Sequence, residues 1–228
     1  MTKIAVVSDT HLGSKYQQLT NLREFYDCAQ KSGCEAVYHC GDLFDGMTMR
    51  KGHEYECFIY GIEDLIKYTT DNYPSSLPTY LIGGNHDHSM RRQCGLDVIR
   101  VLAELLPHFN YLGPHNAYKL HDKLKLAIFH GNGMGAASNR LIRTFDTACK
   151  DWERPDVVLN GHLHHWNIIP DYGKQKSLLV QLACFKGTTD FDRSKSRSPQ
   201  IGGLILERLA DGTLRYEIRS YDETINDY

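Results

Sequence analysis

Asp9 and His11, Asp42 and Asp45, Asn85 and His86, His130, and His162 and His164 are side chains of the kinds that hold divalent cations or move protons. They fall in five short motifs: Asp9-Thr10-His11, Gly41-Asp42-Leu43-Phe44-Asp45, Gly84-Asn85-His86-Asp87, His130-Gly131 and Gly161-His162-Leu163-His164. Carboxylate, imidazole and amide donors without sulfur suit manganese, iron or zinc better than copper or calcium. Each motif follows an apolar run, at residues 4–7, 36–39, 79–82, 124–129 and 156–159. An α/β domain gathers its site residues at the carboxyl ends of such strands. The reaction this set could serve is phosphoester hydrolysis. Two cations about 3.5–4 Å apart clamp the phosphate oxygens and turn a water into hydroxide near neutral pH, and a side chain protonates the leaving oxygen.

Taken singly the motifs are weak, because an Asp-x-His arises by chance and a Gly-Asn-His-Asp serves as a turn. Their joint order at five strand ends makes a metal site the expectation. His39, His53, His108, His115 and His121 stand outside the motifs and are expected to be packed or surface residues. The glycines at 131, 133 and 135 have no Walker lysine nearby and are expected to allow a tight loop.

The elements that must position these donors follow from periodicity. A strand at residues 4–8 precedes a helix with Leu19, Leu22, Phe25, Tyr26 and Ala29 on one face. Strand 36–39, helix 55–68, strand 79–82 and a helix carrying Leu96, Ile99, Leu102, Leu105 and Leu106 repeat the alternation. From residue 110 the texture turns to strands, with a hairpin of 117–120 and 124–129 around His121-Asp122-Lys123. A helix around 139–149 precedes strand 156–159, and strands at 178–184, 201–207 and 214–219 follow. Parallel units followed by a strand-rich half predict an α/β fold, a four-layer α-β-β-α sandwich of two mixed sheets with flanking helices. With no linker inside the motif span, one domain over residues 1–228 is expected.

Composition narrows the partners. A formal net charge of −2 in 228 residues gives no global attraction to nucleic acid or anionic membrane. A local basic stretch, Arg193, Lys195 and Arg197, is the expected contact to a nucleic-acid backbone if that is the substrate. Seven cysteines, odd in number and never in a Cys-x-x-Cys pair, indicate neither a disulfide framework nor a thiolate zinc site. A cytoplasmic setting is expected, with no secretory leader and no membrane span.

With these motifs in this order from Asp9 to His164, the chain resembles the calcineurin-like metallophosphoesterase superfamily. The resemblance implies that Asp9, His11 and His164 serve one cation, that Asn85, His130 and His162 serve the other, and that Asp42 bridges them. It implies that His86 is the general acid and that Asp45 orients it. Gly46 and Asp87 depart from the protein phosphatase pattern of an Arg after Gly-Asp-x-x-Asp and a Gly-Asn-His-Glu motif. His86 departs from lipid A precursor hydrolases, which carry arginine there. The wording of the second and third motifs is nearest the Mre11 and SbcD nuclease branch, although little chain remains beyond the core for a capping domain. The expectation is therefore a phosphodiesterase with two divalent ions, manganese first, whose metal-bound hydroxide attacks nucleic acid in the manner of a DNA nuclease. The alternative is a small-molecule or cyclic-nucleotide phosphodiesterase. A non-catalytic scaffold of the retromer type ranks below both, since such members tend to lose the catalytic histidine.

Overall fold

In β1 (Thr2–Val7) every residue from Ile4 to Val7 is fully buried, yet the side chains alternate between two different cores. Ile4 and Val6 pack with Tyr38, Ile82, Ile128 and Leu159, whereas Ala5 and Val7 pack with Leu22, Phe25 and Leu81. A strand apolar on both faces needs a layer on each side of it. The protein, described as a computed structural model over residues 1–46, 49–131, 136–174 and 176–224, supplies a second sheet on one side and helices on the other.

The order continues with α1 (Leu19–Lys31), β2 (Val37–His39), a 3-10 turn at His53–Glu56, α2 (Ile62–Asn72), β3 (Thr79–Ile82), α3 (Asn85–Cys94), α4 (Val98–Leu105) and β4 (Phe109–Gly113). After these come β5 (Asn116–His121), β6 (Leu124–Phe129), α5 (Ala137–Asp151), β7 (Val157–Asn160), β8 (Asn167–Tyr172), β9 (Ser177–Gln181), α6 (Asp190–Ser194), β10 (Ile201–Arg208) and β11 (Leu214–Tyr221). One sheet runs β11-β10-β1-β2-β3-β4 and the other β5-β6-β7-β9-β8. Pairing is parallel along β1-β2-β3-β4 and along β6-β7-β9, whereas β10 and β11 extend the first sheet, and β5 and β8 the second, in antiparallel fashion. Helix α5 covers the outer face of the second sheet, where Leu141, Phe145 and Ala148 meet Ala127, Phe129 and Val158. This is the four-layer sandwich expected from the sequence. Among the described residues no helix is long and apolar enough to cross a membrane.

Two local expectations are corrected, and one strand is added. The helix expected over 55–68 begins only at Ile62, because residues before it are drawn into pairing with the first loop: Lys15 N–H donates to Glu56 O and Phe58 N–H to Gly13 O. The helix expected after the third motif is two helices, and the first starts within the motif, at Asn85. Strand β8 had no expectation; it alternates poorly because it is an edge strand with a register shift between Ile169 and Tyr172. Residues 133 and 135 of the glycine-rich loop lie outside the described residues.

Candidate active site

The five motifs leave the carboxyl ends of β1, β2, β3, β6 and β7, all parallel strands. The turns are sharp. Asp9, His11, Asp42, His162 and His164 all have positive φ, between 47° and 80°, the left-handed region that costs a non-glycine residue roughly 1–2 kcal/mol. Two glycines make room. Gly41 has φ of 90°, and a Cβ there would lie 2.6 Å from His130 Nδ1; a Cβ on Gly84 would overlap the carboxylate of Asp42.

All seven residues expected to hold metal are brought together. Their donor atoms form one group of Asp9, His11 and His164 and another of Asp42, His130 and His162, with His11 also grouped with Asp42. His164 Nε2 lies 3.2 Å from both Asp9 Oδ1 and His11 Nε2. Asn85 Oδ1 lies 2.7 Å from His162 Nδ1 and 3.0 Å from His130 Nε2, which is in turn 3.1 Å from Asp42 Oδ2. Ligands each about 2.1 Å from one ion, at tetrahedral or octahedral angles, stand about 3.0–3.4 Å apart. The separations of 3.0–3.2 Å match the edges of such a polyhedron, and the 2.7 Å Asn85–His162 contact is shorter, at hydrogen-bond distance. The donor set therefore fits divalent cations.

Hydrogen bonds aim each donor. Asp9 uses Oδ2 to accept from Ser8 Oγ at 2.5 Å and from His162 N–H at 2.8 Å, leaving Oδ1 toward His164. Asp42 uses Oδ1 to accept from His86 N–H at 2.8 Å, leaving Oδ2 toward His130 and His11. His130 donates Nδ1–H to Cys40 O, and His11 donates Nδ1–H to Asp45 Oδ1, both at 2.8 Å. Those acceptors have no proton to give, so each ring turns an Nε2 lone pair inward, as outer contacts of metal-ligating histidines do. Burial works against charge on Asp9 and Asp42, but the surrounding imidazoles, His164 for Asp9 and His130 for Asp42, hold both carboxyls well below the usual range. Burial also opposes charge on His130, yet Asp42 and Asp9 lift it to about 9.

His86 stands beside this group, its Nε2 4.0 Å from Asp42 Oδ2. The expectation that the Asp45 carboxylate orients it needs correcting. His86 Nδ1 donates to the backbone carbonyl of Asp45, and the carboxylate is 3.8 Å away. The carboxylate is taken by other groups: Oδ1 accepts from His11 and, at 2.6 Å, from Lys186 Nζ, while Oδ2 accepts from His53 Nε2 at 3.1 Å. Desolvation by burial carries the His86 ring down to about 3, against the pull of Asp42.

Sequence reasoning missed Lys186 and set His53 aside. Both are buried and act through Asp45, Lys186 from 141 residues away along the chain and His53 from 8. His39, also set aside, is buried as expected; it donates to Thr10 Oγ1 at 3.1 Å and accepts from Gly41 N–H at 3.2 Å, bracing the first two motif loops.

His11, Asp42, His86, His162 and His164 open into a cleft of about 400 Å³ whose lining also includes Arg50, Lys186, Phe191, Asp192 and Arg197. The expected basic cluster is divided there. Arg193 turns to Asp190 at 2.8 Å, whereas Arg197 faces the cleft.

Residues 2–175 match the family described as calcineurin-like phosphoesterases. No curated protein matches the chain. Among solved structures, it is similar to a novel archaeal phosphodiesterase at 19% identity, covering 96% of this chain and 100% of that one, with a TM-score of 0.56. It is similar to Vps29 of Chaetomium thermophilum at 12% identity, covering 97% of each chain, with a TM-score of 0.50. At such identities the likeness is one of fold.

Proposed function

The chain belongs to the calcineurin-like phosphoesterases, and from that premise we propose that it is a two-metal phosphodiesterase acting on small phosphodiesters of the nucleotide kind rather than on nucleic acid. Asp9, His11 and His164 would hold one cation and Asn85, His130 and His162 the other, with Asp42 between them. Cations held there supply charge neutralisation at the phosphate oxygens and an acidified water. The rest falls to the chain. With Nδ1–H on the Asp45 carbonyl, the His86 ring keeps Nε2 toward Asp42 and the cleft. Burial disfavours its charged form, but an arriving phosphodiester anion favours it. His86 thus takes up a proton as substrate seats and delivers it from Nε2 to the leaving oxygen.

The observation that carries this reading is the convergence of seven donors, of which His11, Asp42, His162 and His164 line a cleft of about 400 Å³, within the size range of small-molecule sites, roughly 300–1,000 Å³. The nucleic-acid expectation loses its support: Arg193 is engaged with Asp190, so residues 193–197 do not present the row of cations that tracks a backbone. The archaeal protein of the same fold is itself a phosphodiesterase. A scaffold role has nothing in its favour while His86 keeps its place at the cleft.

The test is hydrolysis by metal-stripped protein reloaded with manganese, zinc or iron. Bis(p-nitrophenyl) phosphate, cyclic nucleotides and dinucleotides should be turned over, with single-stranded and duplex DNA poor substrates. Efficient cleavage of DNA alone would return the reading to the nuclease branch. Stoichiometric metal without turnover of any ester would leave the scaffold.

A further inference from the structure

Phe191 sits in α6, a single turn pinned at its start: Asp192 N–H donates to Thr189 Oγ1 at 3.0 Å, and Asp192 Oδ2 accepts from Thr189 N–H and Oγ1 at 3.1 and 2.7 Å. Around its ring stand three cations. The Arg50 guanidinium carbon lies 4.2 Å from the ring centroid, that of Arg197 5.7 Å, and Lys195 Nζ 5.9 Å. Each is within the range in which a cation is attracted to an aromatic face. Arg50 also gives Nη2 to Glu56 Oε1 at 2.5 Å, one of the five donors a guanidinium carries.

Two carboxylates stand near these three cations, Glu56 paired with Arg50 and Asp192 on the same cleft wall. Asp192 is turned to Thr189, and Asp190 to Arg193. Arg50, Phe191 and Arg197 line the same cleft as His11, Asp42 and His86. With three cations about one ring and two carboxylates beside them, this wall of the cleft keeps a net positive charge, and arginines bind phosphate and carboxylate in bidentate fashion.

Resting on the phosphodiesterase reading, we propose that Arg50 and Arg197, gathered about Phe191, form a subsite for a second anionic group of the substrate. That group is a phosphate or carboxylate carried a few bonds from the scissile phosphorus. The substrate class is then a nucleotide-type phosphodiester with a further terminal anion, not a diester with two uncharged arms.

The test uses a matched pair, thymidine 5′-(p-nitrophenyl phosphate) with and without a 3′-phosphate, followed by nitrophenolate release from the metal-loaded enzyme. The 3′-phosphate should raise kcat/KM about tenfold or more, mainly through KM, as charged hydrogen bonds of ordinary strength do. Arg197→Gln and Arg50→Gln should each bring that ratio toward one, and Arg197→Lys should recover part of it. The ratio compares two substrates on one preparation, so any inactive fraction cancels. A wild-type ratio near one, or a ratio that survives both glutamine substitutions, overturns the subsite. If neither ester is hydrolysed, the phosphodiesterase reading fails instead. Calorimetry then still decides the subsite: thymidine 3′,5′-bisphosphate must bind at least about tenfold tighter than the 5′-monophosphate, and equal binding overturns it.

Discussion

At the metal-ligating part of the cleft the side chains hang from five loops that leave buried parallel strands, and five of those residues are held at positive φ. In the part formed by Arg50, Phe191 and Arg197, the cations are partly or fully exposed and are gathered by one aromatic ring on a single helical turn. The first arrangement aims its donor atoms by second hydrogen bonds to Asp9, Asp42, His11 and His130. The second leaves long side chains to adapt. Chemistry that must not vary is placed where the sheets make it rigid, and recognition is placed where exchange is cheap.

The sharpest way to break this comparison is at Asp42. Asp42→Asn removes charge from the carboxylate between the two donor groups, and turnover should fall at least about 1,000-fold for every substrate, since metal stabilisation amounts to several kcal/mol. Elemental analysis should show less bound metal; an unchanged metal content with normal turnover would discard the shared-ligand role. His86→Asn should retain metal yet lose about 10²–10⁴ in kcat on alkyl phosphodiesters. With p-nitrophenolate, which leaves without a proton, the loss should be much smaller, and equal losses on both leaving groups would remove His86 from proton delivery.

Lys186→Met tests the buried joint between the two parts. It leaves the Asp45 carboxylate without its ammonium partner, at a cost of about 3–5 kcal/mol by urea unfolding near neutral pH. In the native protein Asp45, though burial raises it, is held well below the ordinary range by Lys186, and Lys186 is raised by Asp45. The pair therefore contributes stability above the ordinary carboxylate range and below the ordinary lysine range, and loses it as pH falls or rises beyond those limits. In the variant, Asp45 loses that support and its pKa rises, so the stability deficit should narrow as pH drops from 7 toward 4. A deficit that stays constant over that interval would mean the charge pair is not its source. Arg193→Ala should do least, within about 1 kcal/mol of stability, because the Asp190 pair is exposed. It should leave the 3′-phosphate preference intact; loss of that preference would mean that residues 193–197 act as one cluster after all.

Much of the ligating part could be read in the sequence, for a physical reason. A donor placed directly after an apolar strand can go only to the carboxyl edge of the sheet, so Asp9, Asp42, Asn85, His130 and His162 were found without any contact information. The start of α3 was also there to be read, in Gly84 followed at the third helical position by Asp87, whose carboxylate accepts from the Gly84, Leu43 and Phe44 amides. Lys186 and His53 were hidden because what matters about them is burial against Asp45, and nothing local marks a lysine that will be buried. The division of Arg193 from Arg197 was hidden too. It depends on which way a short helix turns its side chains, and a charge count over residues 193–197 does not contain that. The Asp45 correction has the same origin, since spacing brings Asp45 near His86 but cannot say whether carbonyl or carboxylate will face the ring.

The left-handed backbone at Asp9, His11, Asp42, His162 and His164 also limits how such a centre can be re-engineered. Asparagine, aspartate, histidine and glycine tolerate that conformation, whereas valine, isoleucine and threonine do not. A designer wishing to change the preferred cation can exchange oxygen for nitrogen at these five places, but has only that small alphabet to write with.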